Sequence, residues 1–364
     1  MPDVADVASE ARAACDALAR HPGLDRTLPA LRAEAALQAA HAGLALDGVR
    51  LPIETVRDIE RGLAAPPYGP AGSMVVGALR VQVEVQRAVE AAAGRSLGPP
   101  RPLPQLVAGW HTAAVAGSGT GEPGRLRGQE QPGDLRGLGA APVGDALAQR
   151  MAALAALVAV PLPIGLSGLV LAAVVHGELL ALRPFASANA MVARAVLRWQ
   201  LAQTGVDRTG TVVPEAVWAD APDRYLSAAA GYATGEHPRV VTWVRAVSAA
   251  VVRGAVTALA LAERADGPAR ERAVWGSGGR CSGRAETGAQ SRRRPLRDAV
   301  VDSTGIELSG AARIVPQRAS PVGRSSRGLV ARGFSFPWCA VVVPLYATPR
   351  RSDSATRRFT LPTR

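Results

Sequence analysis

The segment Arg183-Pro184-Phe185-Ala186-Ser187-Ala188-Asn189-Ala190-Met191-Val192-Ala193-Arg194 interrupts the most apolar part of the chain, and the way it does so decides the fold. From Leu147 to Leu201 the residues are apolar and helix-favouring except at two places, Pro161 to Gly165 and Arg183 to Ser187. At the second, Pro184 lacks a backbone donor and disfavours the helical conformation at Arg183, so a helix must end there. Ser187 then reads as an N-cap, and Ala188 onward is good helix sequence. The spacing predicts two apolar helices separated by a short break. Met151 to Val175 is free of charge and long enough to cross a bilayer, but Pro161, Pro163, Gly165 and Gly168 cut it in the middle. That pattern predicts two buried helices joined by a tight turn. His176 and Glu178 close the run, and a histidine on so apolar a helix is most simply a hydrogen-bonded core residue.

Working outward, residues 5–20 and 27–47 are Ala-rich with helical spacing and are divided by His21-Pro22-Gly23. Pro52 opens a third helix through Leu63, and Ala64 to Gly72 is a Pro/Gly-rich turn. Ser73 to Ala93 again has apolar residues every three to four positions, at Met74, Ala78, Val81, Val85, Ala88 and Ala92. Pro99 to Pro104 is a proline-rich join before a short helix at Leu106 to Val115, and the Gly-rich, charged segment from Gly117 to Gly144 reads as loop or hairpin. Tyr225 to Thr234 and Arg239 to Ala265 are two further helices, the second with Val240, Trp243, Val244, Val247, Val251, Ala255 and Leu259 on one side. Gly267-Pro268 reads as a stop signal, and the composition changes there to Arg, Ser and Gly. The reading is an all-α chain: an N-terminal helical region (1–95), a helical core (96–267) and an Arg-rich extension (268–364). The extension is either largely disordered or an out-of-frame or recently added piece.

All 42 basic residues are arginine, which with the Ala, Gly and Pro excess points to coding bias in a GC-rich bacterial genome rather than to a functional demand. The net charge of +12 is uneven. Residues 266–364 hold 18 Arg against 7 acidic residues, leaving 24 against 23 in everything before. A neutral body with no basic face argues against nucleic acid as a partner, and the proline-cut apolar run argues against a membrane. Cys15, Cys281 and Cys339 form no CxxC pair, and Asp3, Asp6 and Glu10 stand where a secretory leader carries positive charge, so a reducing, cytoplasmic setting is expected. His21, His41, His111, His176 and His237 have no HxxxH or HExxH spacing, so no metal site is expected of them.

The segment 183–194 resembles the signature of the Fic (Fido-fold) family, H-P-F-x-[DE]-G-N-G-R-x-x-R, which sits at a loop leading into a buried helix of an all-helical core with a small flap hairpin. Pro184, Phe185, Asn189 and Arg194 hold matching positions, and His176 lies seven before Arg183, where the family usually has a further histidine. Tyr225 and Trp243 fall at about the places where the family's closing helices carry aromatics. The departures are Arg183 for the catalytic histidine, Ser187 for the acid, Ala188 and Ala190 for the glycines, and Met191 for the first arginine. The resemblance implies AMP transfer from ATP to a target hydroxyl, with ATP and magnesium as cofactors if that activity is retained. It also implies a nucleotide site at Ser187, Ala188, Asn189, Ala190 and Arg194. A guanidinium stays protonated and only donates, so Arg183 is not competent as the base, a role worth roughly 10²- to 10⁴-fold in rate. Magnesium prefers anionic oxygen, which Ser187 does not offer. Alanines at 188 and 190 favour continued helix over a glycine-lined anion cradle.

Gly43-Leu44-Ala45-Leu46-Asp47-Gly48 resembles the family's inhibitory pattern [ST]-x-x-x-E-G, which implies that Asp47 pairs with Arg194 within about 4 Å. Gly124-Arg125-Leu126-Arg127 resembles the start of the target-docking flap, although a solvated loop explains Arg125 and Arg127 equally well. Three functions follow: a Fic-fold pseudoenzyme that serves as a binding or regulatory partner; an active transferase using His176 or a substrate group as base, with Arg183 and Arg194 holding the phosphates of ATP or of a different donor; or a helical interaction module without a nucleotide site. The partners expected are a protein target or a nucleotide.

Overall fold

The computed structural model of the chain describes residues 2–92, 101–119 and 122–277. Among them the helices are α1 (Pro2–Ala19), α2 (Leu24–Leu46), α3 (Ile53–Glu60), α4 (Pro70–Ala92), α5 (Leu103–Val115), α6 (Gly144–Ala159), α7 (Gly168–Leu182), α8 (Asn189–Gln203), α9 (Pro214–Ala219), α10 (Pro222–Ala233) and α11 (His237–Ser277). There is a 3-10 turn at Arg136–Leu138 and no strand among the described residues. The class is all-α, as the apolar spacing predicts. Helices α4 and α5 begin a few residues earlier than their periodic patterns, at Pro70 and at Leu103-Pro104, because proline suits a first turn whose donors have no intrahelical partner. Helix α9 has only six residues, too few for a periodic signal.

All fifteen residues of α7 are buried, which is what a helix that is apolar on every side requires. It packs against α8, α10, α6 and α1, while α8 in turn packs against α4 and α5, and α2 against α4, α9 and α3. Helices from both ends of the described chain share one hydrophobic cluster, including Leu37, Val81, Trp110, Val175, Leu197 and Val247. Each such side chain contributes about 1.5–3 kcal/mol when fully buried. Two ionisable groups sit inside α7. Glu178 accepts from Arg150 at 2.7 Å and from the Tyr232 hydroxyl at 3.1 Å; burial pushes its carboxyl pKa upward and Arg150 pulls it back.

The apolar run 151–175 is split between α6 and α7, as the prolines predict. Among the described residues, one stretch, His237–Asp266 in α11, is long and apolar enough to cross a membrane by length and composition alone.

Three local expectations are corrected. The segment 117–144 pairs with no strand. Its backbone instead bonds to the loop after α7, through Arg127 N–H to Pro184 O and Gly133 N–H to Ala186 O, so it is loop rather than hairpin. Ser187 does not cap α8, for reasons given below. Helix α11 does not stop at Gly267-Pro268 but runs to Ser277. The sequence on both sides of that dipeptide is rich in Ala, Arg and Glu, and these helix formers carry α11 past the lost donor and the steric clash that Pro268 brings. The extension beyond residue 277 lies outside the described residues, and the expectation of disorder or an out-of-frame origin lies there with it.

Close helix contact depends on particular glycines. A Cβ on Gly77 of α4 would stand 2.1 Å from the Ala114 carbonyl oxygen of α5, whereas one on Gly109 of α5 would meet nothing within 4 Å. Ala gains about 1 kcal/mol over Gly in a helix interior. Gly109→Ala should therefore raise stability in urea unfolding by up to that amount. Gly77→Ala should lower it by about 1–3 kcal/mol, because α4 and α5 must separate. Equal effects at the two sites would contradict the packing described.

Candidate functional site

The loop that joins α7 to α8 is built from two left-handed residues. Arg183 ends α7 at φ 44°, its N–H still donating to Leu179 O at 2.9 Å, and Ala188 precedes α8 at φ 58°. Between them Phe185 is fully buried. Asn189 holds the loop closed: its Oδ1 accepts from Phe185 N–H at 2.8 Å and its Nδ2 donates to Phe185 O at 2.9 Å. Continued helix at Ala188, the behaviour expected of alanine, loses to these bonds. The same turn removes the N-cap role from Ser187. The backbone N–H of Asn189 points away from it to Asp134 Oδ2 at 2.7 Å, and Asn189 Nδ2 also donates to Asp134 Oδ1 at 2.7 Å. Burial pushes the Asp134 carboxyl pKa up, the Asn189 donors pull it down, and nearby Asp47 adds to the rise.

Arg183 is buried, 1% exposed, and its guanidinium donates to Leu135 O at 2.9 Å and Gly139 O at 2.8 Å. Arg127 is buried beside it and reaches four carbonyls: Arg183 O at 2.7 Å, Leu182 O and Glu130 O at 2.8 Å each, and Pro142 O at 2.6 Å. Burial lowers the pKa of both arginines, and Arg183 adds to the effect on Arg127. Arg125, two residues away, is exposed and paired with Glu122. The two arginines of the Gly-Arg-x-Arg stretch thus occupy opposite environments, Arg127 holding the loop against the end of α7 and Arg125 facing solvent.

The ion pair expected between Asp47 and Arg194 is present at 2.6 Å, with Arg194 also reaching Gly43 O at 3.3 Å. Burial works against the Arg194 charge, but Asp47, Tyr225 and Glu215 together outweigh it and the net pKa is raised. Glu215 of α9 adds to the favourable field at Arg194 from 1% exposure, its own carboxyl pKa raised by burial.

His176 lies in the core. Its Nδ1 is 2.9 Å from Ala193 O, its Nε2 is 3.1 Å from the Tyr225 hydroxyl, and its ring stacks among Trp218, Tyr225 and Trp243. Burial pushes its pKa down to about 3. It is the hydrogen-bonded core histidine of the simpler reading, and Tyr225 and Trp243 are its packing partners. The histidine beside the loop is instead His111 of α5, which its plain apolar-helix setting did not single out. Its ring stacks on Phe185 at 4.0 Å, and its Nδ1 accepts from Gly124 N–H at 2.9 Å. Burial pushes its pKa down to about 4, opposed by the Ser187 backbone. Asp134 was equally unmarked, because nothing in local spacing links it to a residue 55 positions later.

A cleft of about 480 Å³ opens beside the loop, lined by Asp47, Ser73, Met74, Asp134, Ser187 and Met191 among others. Its described lining includes two carboxylates and no cationic side chain. Ala188 lines the same cleft, while Ala190 lines a neighbouring hollow that also contains Asp47.

A left-handed alanine costs roughly 1–2 kcal/mol that glycine avoids, partly offset by the greater freedom of glycine in the unfolded chain. Ala188→Gly should leave stability unchanged or raise it by up to about 1 kcal/mol, and Ala188→Val should lower it by about 2 kcal/mol in thermal or urea unfolding. A clear loss with glycine would contradict the loop geometry.

No protein-family model matches the chain, and no curated protein matches it in sequence. Its three-dimensional structure is similar to solved ones. A Fic family protein from Desulfovibrio desulfuricans G20 superposes with TM-score 0.58 at 18% identity, over 72% of this chain and 76% of that one. A Fic domain containing signaling protein from Bacteroides thetaiotaomicron gives 0.55 at 14% identity, over 71% and 97%. Fic-1 from C. elegans gives 0.54 at 16% identity, over 71% and 74%. Likeness at these identities establishes architecture alone, and on that architecture the chain has the Fic fold.

Proposed function

We propose that this protein is a non-catalytic member of the Fic fold, which keeps the scaffold of an AMP transferase, does not carry out the transfer, and acts in the cytoplasm as a binding or regulatory partner of another protein. The observation that carries this reading is the engagement of Arg183: the side chain at the position of the motif base donates to Leu135 O and Gly139 O and has no proton-accepting atom. His176 does not replace it, being wholly buried with both ring nitrogens at hydrogen-bonding distance from core groups.

ATP and magnesium fit the arranged residues poorly. The first backbone N–H of α8, that of Asn189, and the Asn189 side-chain amide are taken by Asp134, Arg194 is held by Asp47, and Ser187 supplies no carboxylate. The described lining of the cleft alongside offers a triphosphate no cationic side chain. These contacts stabilise the loop, and their cost is the loss of a free phosphate cradle.

Incubation of the purified chain with magnesium and ATP labelled at the α-phosphate, alone and with bacterial lysate, should give no protein-bound label above a control without the chain. Arg183→His alone should remain inactive, since Asp134 and Ser187 are unchanged. Labelling by the wild-type chain that disappears in Arg194→Ala would overturn the proposal.

A further inference from the structure

The segment that follows Arg127 lies across the start of α8, and the way it is fastened has a chemical direction. Gly133 N–H donates to Ala186 O at 2.8 Å; the next residue, Asp134, places each carboxylate oxygen 2.7 Å from a donor of Asn189; and Leu135 and Gly139, on the far side, give their carbonyls to the Arg183 guanidinium. Arg127 fixes the base of the segment by its bonds to Leu182 O and Arg183 O. The N-terminal end of a helix carries roughly half a unit of positive charge and unpaired N–H groups, which an anion satisfies.

We infer that residues 133–139 are a strap that occludes an anion-binding helix start, in which Asp134 is an internal anion seated at the first amide of α8 and Arg183 is the latch that keeps it there. The inference deepens the non-catalytic reading, on which it rests for the meaning of the site, by naming what occupies the helix terminus. It also gives Arg183 a positive role: a histidine at 183 would bring at most two ring nitrogens, whereas the guanidinium spans the two carbonyls on either side of the strap's turn. The Asp47–Arg194 pair is a separate ion pair further along α8, its Asp47 lining the same cleft as Asp134. Removing the Asp134 carboxylate vacates the donors of Asn189 without touching that pair.

The test is calorimetric titration of the full chain with inorganic pyrophosphate at neutral pH, for wild type, Asp134→Ala and Asp134→Asn, each checked by thermal unfolding. Asp134→Ala should bind pyrophosphate at least tenfold more tightly than wild type. Asp134→Asn, which loses the charge but keeps an acceptor, should fall between them and serves alone if the alanine variant does not fold. Equal affinity, or no binding, in wild type and a folded variant would overturn the strap. Pyrophosphate carries no transferable nucleotide, so a failure here leaves the question of AMP transfer to the labelling experiment.

Discussion

A helix that ends inside a protein core must find partners for its last carbonyls, and a helix that begins there must find partners for its first amides. Helices α7 and α8 do both within a few residues, and the rest of the site follows from how that requirement is met. The carbonyls of Leu182 and Arg183 are taken by Arg127, the carbonyl of Pro184 by the Arg127 N–H, and the amide of Asn189 by Asp134. Every one of these partners comes from the loop between α5 and α6. Arg127 and Asp134 are fastened to α7 and α8 by these bonds, and α7 can be apolar along its length because its polar end is served from outside the helix.

This arrangement has a consequence for chemistry. A catalytic loop needs donors and bases that are unsatisfied until substrate arrives, while a stable buried loop needs them satisfied at once. Here Arg183, Asn189 and Arg194 all have internal partners, with Arg183 Nε and Arg194 Nη1 left over, and the acids that supply two of them, Asp134 and Asp47, line the neighbouring cleft. The aromatic box around His176 belongs to the same pattern: both ring nitrogens lie at hydrogen-bonding distance from core groups, and burial holds its pKa down.

The legible part of the sequence was the part governed by periodicity and by proline. The two apolar helices on either side of Arg183, the break of the apolar run at Pro161 and Pro163, and the stripe along α11 follow from spacing alone. The Asp47–Arg194 pair was reached through a resemblance, because 147 positions separate the partners. What stayed hidden was set by tertiary contacts. Ser187 looked like a cap until Asp134 took the amide, Ala188 looked helical until Asn189 closed the loop, and His111 drew no notice because stacking on Phe185 leaves no trace in its own neighbourhood. Gly267-Pro268 misled in the opposite sense, a local stop signal overridden by strong helix formers around it.

The central claim is that the start of α8 is closed by the chain itself in its resting state. Amide hydrogen exchange at neutral pH, without added nucleotide, tests it most directly at Asn189 and Gly133. If the loop is fastened as described, both amides exchange only with opening of the surrounding core, at protection comparable to that of mid-α8 residues such as Val196. Exchange at Asn189 as fast as in an unstructured peptide would mean that its amide is free for another anion, and the account would fail.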